Sequence, residues 1–376
     1  MLLKKDSIKE NDAINTYTEI FSQKDVWNKV YGLYEERKIN IDAFLEKLPE
    51  GTKVIFTGAG TSEYVGNIAS EYLKTSDKYI FESIATTDLV SNPYLHFEKN
   101  NPTLLVSFAR SGNSPESLAA VELGEQLVND FYNLAITCAP EGKLALKLKD
   151  DNNSYVFIEP DGTNDKGFAM TSSFSSMLLT SLLVFDDRND KKELVDELSK
   201  TASAILDDAE KIEELVNFDF DRIIYLGSGP LYKLGNEARL KVLELTAGEV
   251  TSLYESSMGF RHGPKSFVND KTLIVSFVST NDYTRDYDLD ILNEIAADKI
   301  APKVIAVANS DVDGDFEKLI YKNDVDNDVY LSLPYIIIGQ LISLITSLRV
   351  GNTPDNPSKT GTVNRVVKGV TIHSYE

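Results

Sequence analysis

Residues able to seat an anion or move a proton gather at three places in this chain. The stretch "SFARSGNSPE", Ser107 to Glu116, follows the apolar run "TLLV" and precedes "SLAAVELGEQL", whose apolar residues recur at helical spacing. A strand ending near Phe108, a tight fold at Gly112, and Ser114, Pro115 and Glu116 as N-cap, first-turn proline and first-turn acid predict a helix N-terminus ringed with hydroxyls. Free amides there carry partial positive charge, and with Arg110, Ser111 and Ser114 beside them they form a seat for a phosphate. Ordinary helix capping uses the same residues, and on this stretch alone it is the simpler reading. Farther on, "NEARLKVLE" spaces Glu237, Lys241 and Glu244 at i, i+4 and i+7, one face of a helix. By spacing alone that face is a surface Glu–Lys–Glu ladder. His262 sits in the glycine-flanked turn "GFRHGPK", a setting in which a lone histidine is ordinarily a structural donor; His96 and His373 have no comparable setting.

The elements that must position these residues come twice. "KVIFTGAGTSEYVGNIASEYL" from Lys53 lies over "RIIYLGSGPLYKLGNEARLKV" from Arg222, with Gly58, Gly60, Gly66, Asn67 and Ala69 falling on Gly227, Gly229, Gly235, Asn236 and Ala238, a constant displacement of 169 positions (58 to 227). The same displacement carries "TLLVSF" at Thr103 onto "TLIVSF" at Thr272. Two blocks in one register indicate an internal duplication. Each half reads as strand, Gly-x-Gly turn, helix, strand, helix, strand: an α/β fold of two tandem doubly wound parallel sheets, whose ligands sit at the carboxyl ends of the strands. The expected organisation is a helical segment over 1–45, one unit over 46–195, a second over 196–350 and an extended tail over 351–376. Asp25 is expected to cap the leading helix "VWNKVYGLYEE".

Composition narrows the class of partner. The 376 residues carry 59 acidic against 38 basic side chains, a formal charge of −21 and a pI near 4.6. Such a chain repels nucleic acid and anionic membrane, so an anionic substrate must be held by local donors against the global field. The single cysteine, Cys138, lies in the apolar "NLAITC", which permits no disulfide within the chain and points to a reducing cytoplasm. The opening "MLLKKDSIKEND" lacks an apolar core of signal-peptide length, and the greasy stretches Met177 to Phe185 and Tyr335 to Leu348 fall short of the roughly 20 residues that span a bilayer. A dinucleotide site is unfavoured, because Glu63 and Tyr232 stand where the third glycine of G-x-G-x-x-G belongs. The sequence implies no cofactor, and no His/Cys/Asp cluster has metal-ligand spacing.

"GAGTSE" followed by "SFARSGNSPES" resembles the loop pair of the tandem SIS (sugar isomerase) domain family, and the likeness runs from about Asp25 through nearly the whole chain. "TTDLVSNPYLHF", "DKGFAMTSSFSSMLL", "GFRHGPKSFVND" and "PDNPSKTGTVNRVVKGVTI" resemble one branch of it, the galactosamine-6-phosphate deaminases, also labelled tagatose-6-phosphate ketose/aldose isomerases. The isomerase half of glucosamine-6-phosphate synthase is a further relative.

The resemblance implies a flavodoxin-like fold, a small phosphosugar substrate and roles for named residues. Thr61, Ser62, Arg110, Ser111, Asn113 and Ser114 would cradle the sugar phosphate. The synthase has Ser-Gln-Ser-Gly where this chain has Ala109 to Gly112, so one hydroxyl is lost and a guanidinium appears, either compensating with a charge-assisted contact or pointing to solvent. Glu244 aligns with the relative's proton-transfer carboxylate, with Lys241 and Glu237 tuning and orienting it; a carboxylate on a rigid helix suits removal of a proton from C2 and its return to C1. His262 would open the sugar ring, reaching a neighbouring subunit's site in a homodimer or larger homo-oligomer. Lys368 in the tail would close over the sugar, with Lys359 as its rival. The implied reaction converts galactosamine 6-phosphate to tagatose 6-phosphate and ammonia. Plain ketose/aldose isomerisation, a fructosamine-type deglycase and a non-catalytic phosphosugar sensor are the alternatives. With Met1 and Leu2 at its start and no glutaminase domain, the chain is not expected to release ammonia from glutamine.

Overall fold

Two parallel five-stranded sheets organise the chain in the computed structural model, which describes residues 2–367 and 369–376. The first contains β1 (Lys53–Thr57), β2 (Ile80–Ser83), β3 (Thr103–Ala109), β4 (Phe131–Thr137) and β5 (Ser154–Ile158), in the order β2-β1-β3-β4-β5. The second contains β6 (Arg222–Gly227), β7 (Thr251–Ser256), β8 (Thr272–Phe277), β9 (Lys303–Ala308) and β10 (Glu317–Ile320), in the order β7-β6-β8-β9-β10. Both follow the flavodoxin-like pattern 2-1-3-4-5, the expected doubly wound fold in duplicate. The duplication extends to register, since Lys53 pairs with Thr103 and Arg222 with Thr272. β3 and β8 are buried along their whole length, which their unbroken apolar runs require of central parallel strands.

The described residues fall into two units. One holds those up to Asp25 together with Lys166–Thr171 and Asp190–Lys359; the other holds Val26–Asp165, Ser172–Asn189 and those from Thr360 onward. The core of the first sheet's unit includes Ile55, Leu105, Ala120, Ala135 and Leu144, and that of the second includes Ile224, Ile274, Ile291, Val304 and Ala306.

Two expectations need correction. The leading helix runs Ile14–Leu45 and does not begin at Asp25, because no proline or glycine interrupts it before Gly32 and buried Ile20, Trp27, Val30, Tyr34 and Ile41 continue along it. Asp25 is an exposed position inside the helix. The greasy stretch at Tyr335 belongs to a longer helix, Asp328–Arg349, whose 22 residues include an 18-residue window of mean hydropathy 1.8, long and apolar enough to cross a bilayer. That window is wholly buried: the helix packs on Gly229–Leu245 and Lys191–Asp207, which accounts for its apolar surface on all sides.

Candidate active site

β1 and β3 are neighbours from which the chain winds in opposite directions, so the crevice at their carboxyl ends is where such a sheet takes a ligand. After β1 the backbone turns at Gly60, φ +58°, and a Cβ on Gly58 would lie 2.4 Å from the backbone carbonyl carbon of Ser62. Only bare backbone fits there, and it lets the helix Thr61–Leu73 begin with Thr61 and Ser62 in its buried first turn. After β3 the chain turns at Gly112, φ +62°, and Ser114 caps the helix Pro115–Leu127 by accepting the Ser117 amide. Ser111 is half-buried and Asn113 exposed, its Oδ1 accepting the Lys143 amide at 3.2 Å. Arg110 does not point to solvent: it is 7% exposed, and its Nη2 donates to the carbonyl of Arg365 at 2.7 Å. Thr61, Ser62, Arg110, Ser111, Asn113 and Ser114 thus lie on two loops that leave adjacent strands. Lys368 lies outside the described residues, and Lys359 pairs with Glu249 at 3.3 Å.

Two ionisable groups are buried beside the ends of the neighbouring strands. Glu159, just past β5, accepts the Thr180 hydroxyl at 2.6 Å, and burial pushes its carboxyl up to about 8 against the pull of Thr180 and Arg37. Burial, followed by Glu159, drives the Cys138 thiol well above its ordinary range, which disfavours the thiolate a nucleophile needs.

In the second sheet the Gly-x-Gly turn is rebuilt at the displaced positions. Gly229 has φ +52°, and a Cβ on Gly227 would lie 2.8 Å from the Leu231 carbonyl carbon. The helix Gly229–Leu245 that follows is no surface ladder, because Glu237 and Lys241 are fully buried. Lys241 Nζ stands 3.3 Å from Glu237 Oε1 and 2.6 Å from Glu244 Oε2, while the Glu244 side chain keeps 26% exposure. Burial alone would lower the Lys241 ammonium, but the two carboxylates outweigh it and hold it raised, so the amine stays charged. The arrangement is one buried cation between two acids, of which one can meet a substrate. Gly339 lets the helix Asp328–Arg349 approach Ala238, and Asn352 Nδ2 closes the end of the Glu244 helix by donating to the Leu245 carbonyl at 2.9 Å.

His262 ends the short turn Gly259–Arg261 and is exposed, followed by Gly263 at φ +123°. Its neighbours are tied down on both sides. Arg261 Nε lies 2.6 Å from Glu294 Oε2, and Lys265 Nζ bonds Glu294 and lies 2.6 Å from Asp298. Hydrogen bonds from Lys265 and then Arg261 hold the Glu294 carboxyl below its usual range. Glu294 and Asp298, on the helix Asp282–Asp298, escaped the sequence reading because an acid-rich helix resembles a solvated one.

The family described as SIS domain matches residues 47–185 and 218–328. The D-galactosamine-6-phosphate deaminase AgaS of Escherichia coli is 42% identical over 373 residues, 97% of each chain. The protein of the same name from Shewanella sp. (strain ANA-3) is 39% identical over 382 residues, all of this chain and 96% of that one. The crystal structure of tagatose-6-phosphate ketose/aldose isomerase from Escherichia coli superposes with a TM-score of 0.89 at 38% identity, covering 96% of this chain and 97% of that chain.

Proposed function

The chain belongs to the SIS domain family, and on that premise we propose that it is a phosphosugar deaminase and aldose–ketose isomerase, taking galactosamine 6-phosphate and water to tagatose 6-phosphate and ammonia. The observation that carries the reading is the partly exposed Glu244 carboxylate held by the buried Lys241 ammonium at 2.6 Å. A sensor needs a phosphate seat but has no use for a partly shielded, pre-oriented carboxylate.

In this account the loops at Thr61, Ser62 and Arg110 to Ser114 hold the phosphate by hydroxyls and helix N-terminal amides. Arg110 and Ser111 set the loop, and the Arg110 contact to Arg365 supports a tail that folds over the cradle. Glu244 removes the C2 proton of the open-chain amino sugar, giving an enolamine, and returns a proton to C1, giving a C2 imine. Water adds to C2 and ammonia leaves, so carbon, nitrogen and protons balance. Lys241, held charged between Glu237 and Glu244, orients the Glu244 carboxylate. The exposed His262 serves ring opening in a neighbouring copy, making a homodimer the smallest working unit, in the reducing cytoplasm that a lone buried cysteine suits.

Assaying ammonia and ketose 6-phosphate release from galactosamine 6-phosphate and glucosamine 6-phosphate tests the reading. Turnover of the galacto substrate with one ammonia per ketose is expected. Interconversion of tagatose 6-phosphate with its aldose and no ammonia would instead establish plain isomerisation, the second reading, which the name of the similar E. coli crystal structure favours.

A further inference from the structure

The displacement of 169 positions also marks residues of the second half for which the proposed chemistry has no use. Ser228 corresponds to Ala59, Ser279 to Arg110, Thr280 to Ser111 and Asp288 to Ala119. Ser228, Ser257 and Ser279 follow β6, β7 and β8, three strands that lie side by side, so they stand at the second sheet's own crevice. All three converge on Asp288, fully buried on the helix Asp282–Asp298. Ser228 Oγ donates to Asp288 Oδ1 at 2.6 Å, Ser257 Oγ donates to the same oxygen, and the Ser279 amide donates to Oδ2 at 2.9 Å. Beside it the half-buried Asp328 accepts the Ser279 hydroxyl, the Thr280 amide at 2.7 Å and the Thr280 hydroxyl at 2.9 Å.

Hydroxyls and backbone amides collected at a switch point are the equipment of an oxyanion seat. A carboxylate survives burial only when such donors replace its water, and here the donors are spent on the chain's own acids. In the first half the position matching Asp288 is Ala119, which brings no carboxylate. We propose that the second half retains an oxyanion seat of the same strand-end type and that Asp288 and Asp328 fill it from within, so that a phosphosugar is directed to the first half alone. The last clause rests on the phosphate role proposed above; the self-filled seat does not.

The test uses the full chain with Asp288→Ala, which leaves the Ser228, Ser257 and Ser279 donors without their acceptor. At neutral pH, sodium formate should raise the melting temperature of this variant by about 2–4 °C more than sodium chloride at equal concentration, the size expected of a ligand well above its dissociation constant. Formamide, neutral and of similar shape, should give less than half that shift, and the wild type should respond to neither. Equal responses to formate, formamide and chloride in a folded Asp288→Ala protein overturn the proposal. If that variant does not fold, Asp328→Ala at the half-buried carboxylate carries the same readout and decides in the same way. Galactosamine 6-phosphate binding to the wild type separates the two claims: its absence removes the first half's phosphate role and leaves the formate result standing.

Discussion

Lys241 Nζ, on a side chain with no exposure, lies 2.6 Å from Oε2 of Glu244, whose own side chain is 26% exposed. The asymmetry matters for chemistry. A fully buried acid would meet no substrate, and a fully exposed one would be neither oriented nor shielded from water. The second acid, Glu237, is buried 3.3 Å from the ammonium and supplies charge without access. On the proposed reading the three residues on this helix face divide the work, Glu244 being the one of them open to a substrate.

Glu159 is expected to make stability fall as pH rises. Burial lifts its carboxyl from the usual 4.5 to about 8 in the folded chain. Below the lower value both states are protonated and its contribution is full; between the two, the unfolded chain releases a proton that the folded chain keeps, so stability drops by at most about 1.4 kcal/mol per pH unit. Glu159→Gln keeps a carbonyl for the Thr180 hydroxyl and should gain on wild type in denaturant midpoint from pH 5 to pH 8. Parallel midpoint curves would mean that Glu159 ionises normally in the folded protein.

The cradle hydroxyls should separate binding from capping. Ser114 accepts the Ser117 amide, so Ser114→Ala is expected to cost about 0.5–2 kcal/mol of stability, whereas Ser111→Ala should cost less than about 0.5. Both should shrink the rise in melting temperature that galactosamine 6-phosphate produces. An undiminished rise in both variants would reduce these serines to a structural role.

His262 should act across subunits. Mixing Glu244→Gln with His262→Ala chains, each inactive alone, should restore activity at sites that draw an intact glutamate from one chain and an intact histidine from the other. Random reassortment at equal amounts makes half the dimers mixed with one good site each, so recovery near about a quarter of wild type is expected. Subunit exchange, verified by native mass spectrometry, without recovered activity would place His262 within its own chain's site or outside catalysis.

What the sequence disclosed was backbone. The turns at Gly58, Gly60, Gly227 and Gly229 were legible because a left-handed or crowded backbone position is written as glycine at fixed spacing, and the 169-position displacement repeated it. The environment of side chains was less legible. Glu237, Lys241 and Glu244 have the same spacing on a solvated face as on a buried one; the difference lies in the helix Asp328–Arg349 and its Gly339, far along the chain. Arg110 finds its partner in Arg365, 255 positions away, which no local pattern encodes. Asp288 and Glu294 sit in a run of acids that reads as surface.

The most direct test of the account is the turnover of galactosamine 6-phosphate by Glu244→Gln, measured alongside phosphosugar binding and folding. The substitution keeps size and a hydrogen-bonding oxygen for Lys241 while removing the base. Turnover should fall by roughly two to four decades with binding and melting temperature near wild type. A folded Glu244→Gln protein that still releases ammonia at close to the wild-type rate would contradict the assignment of this carboxylate to proton transfer.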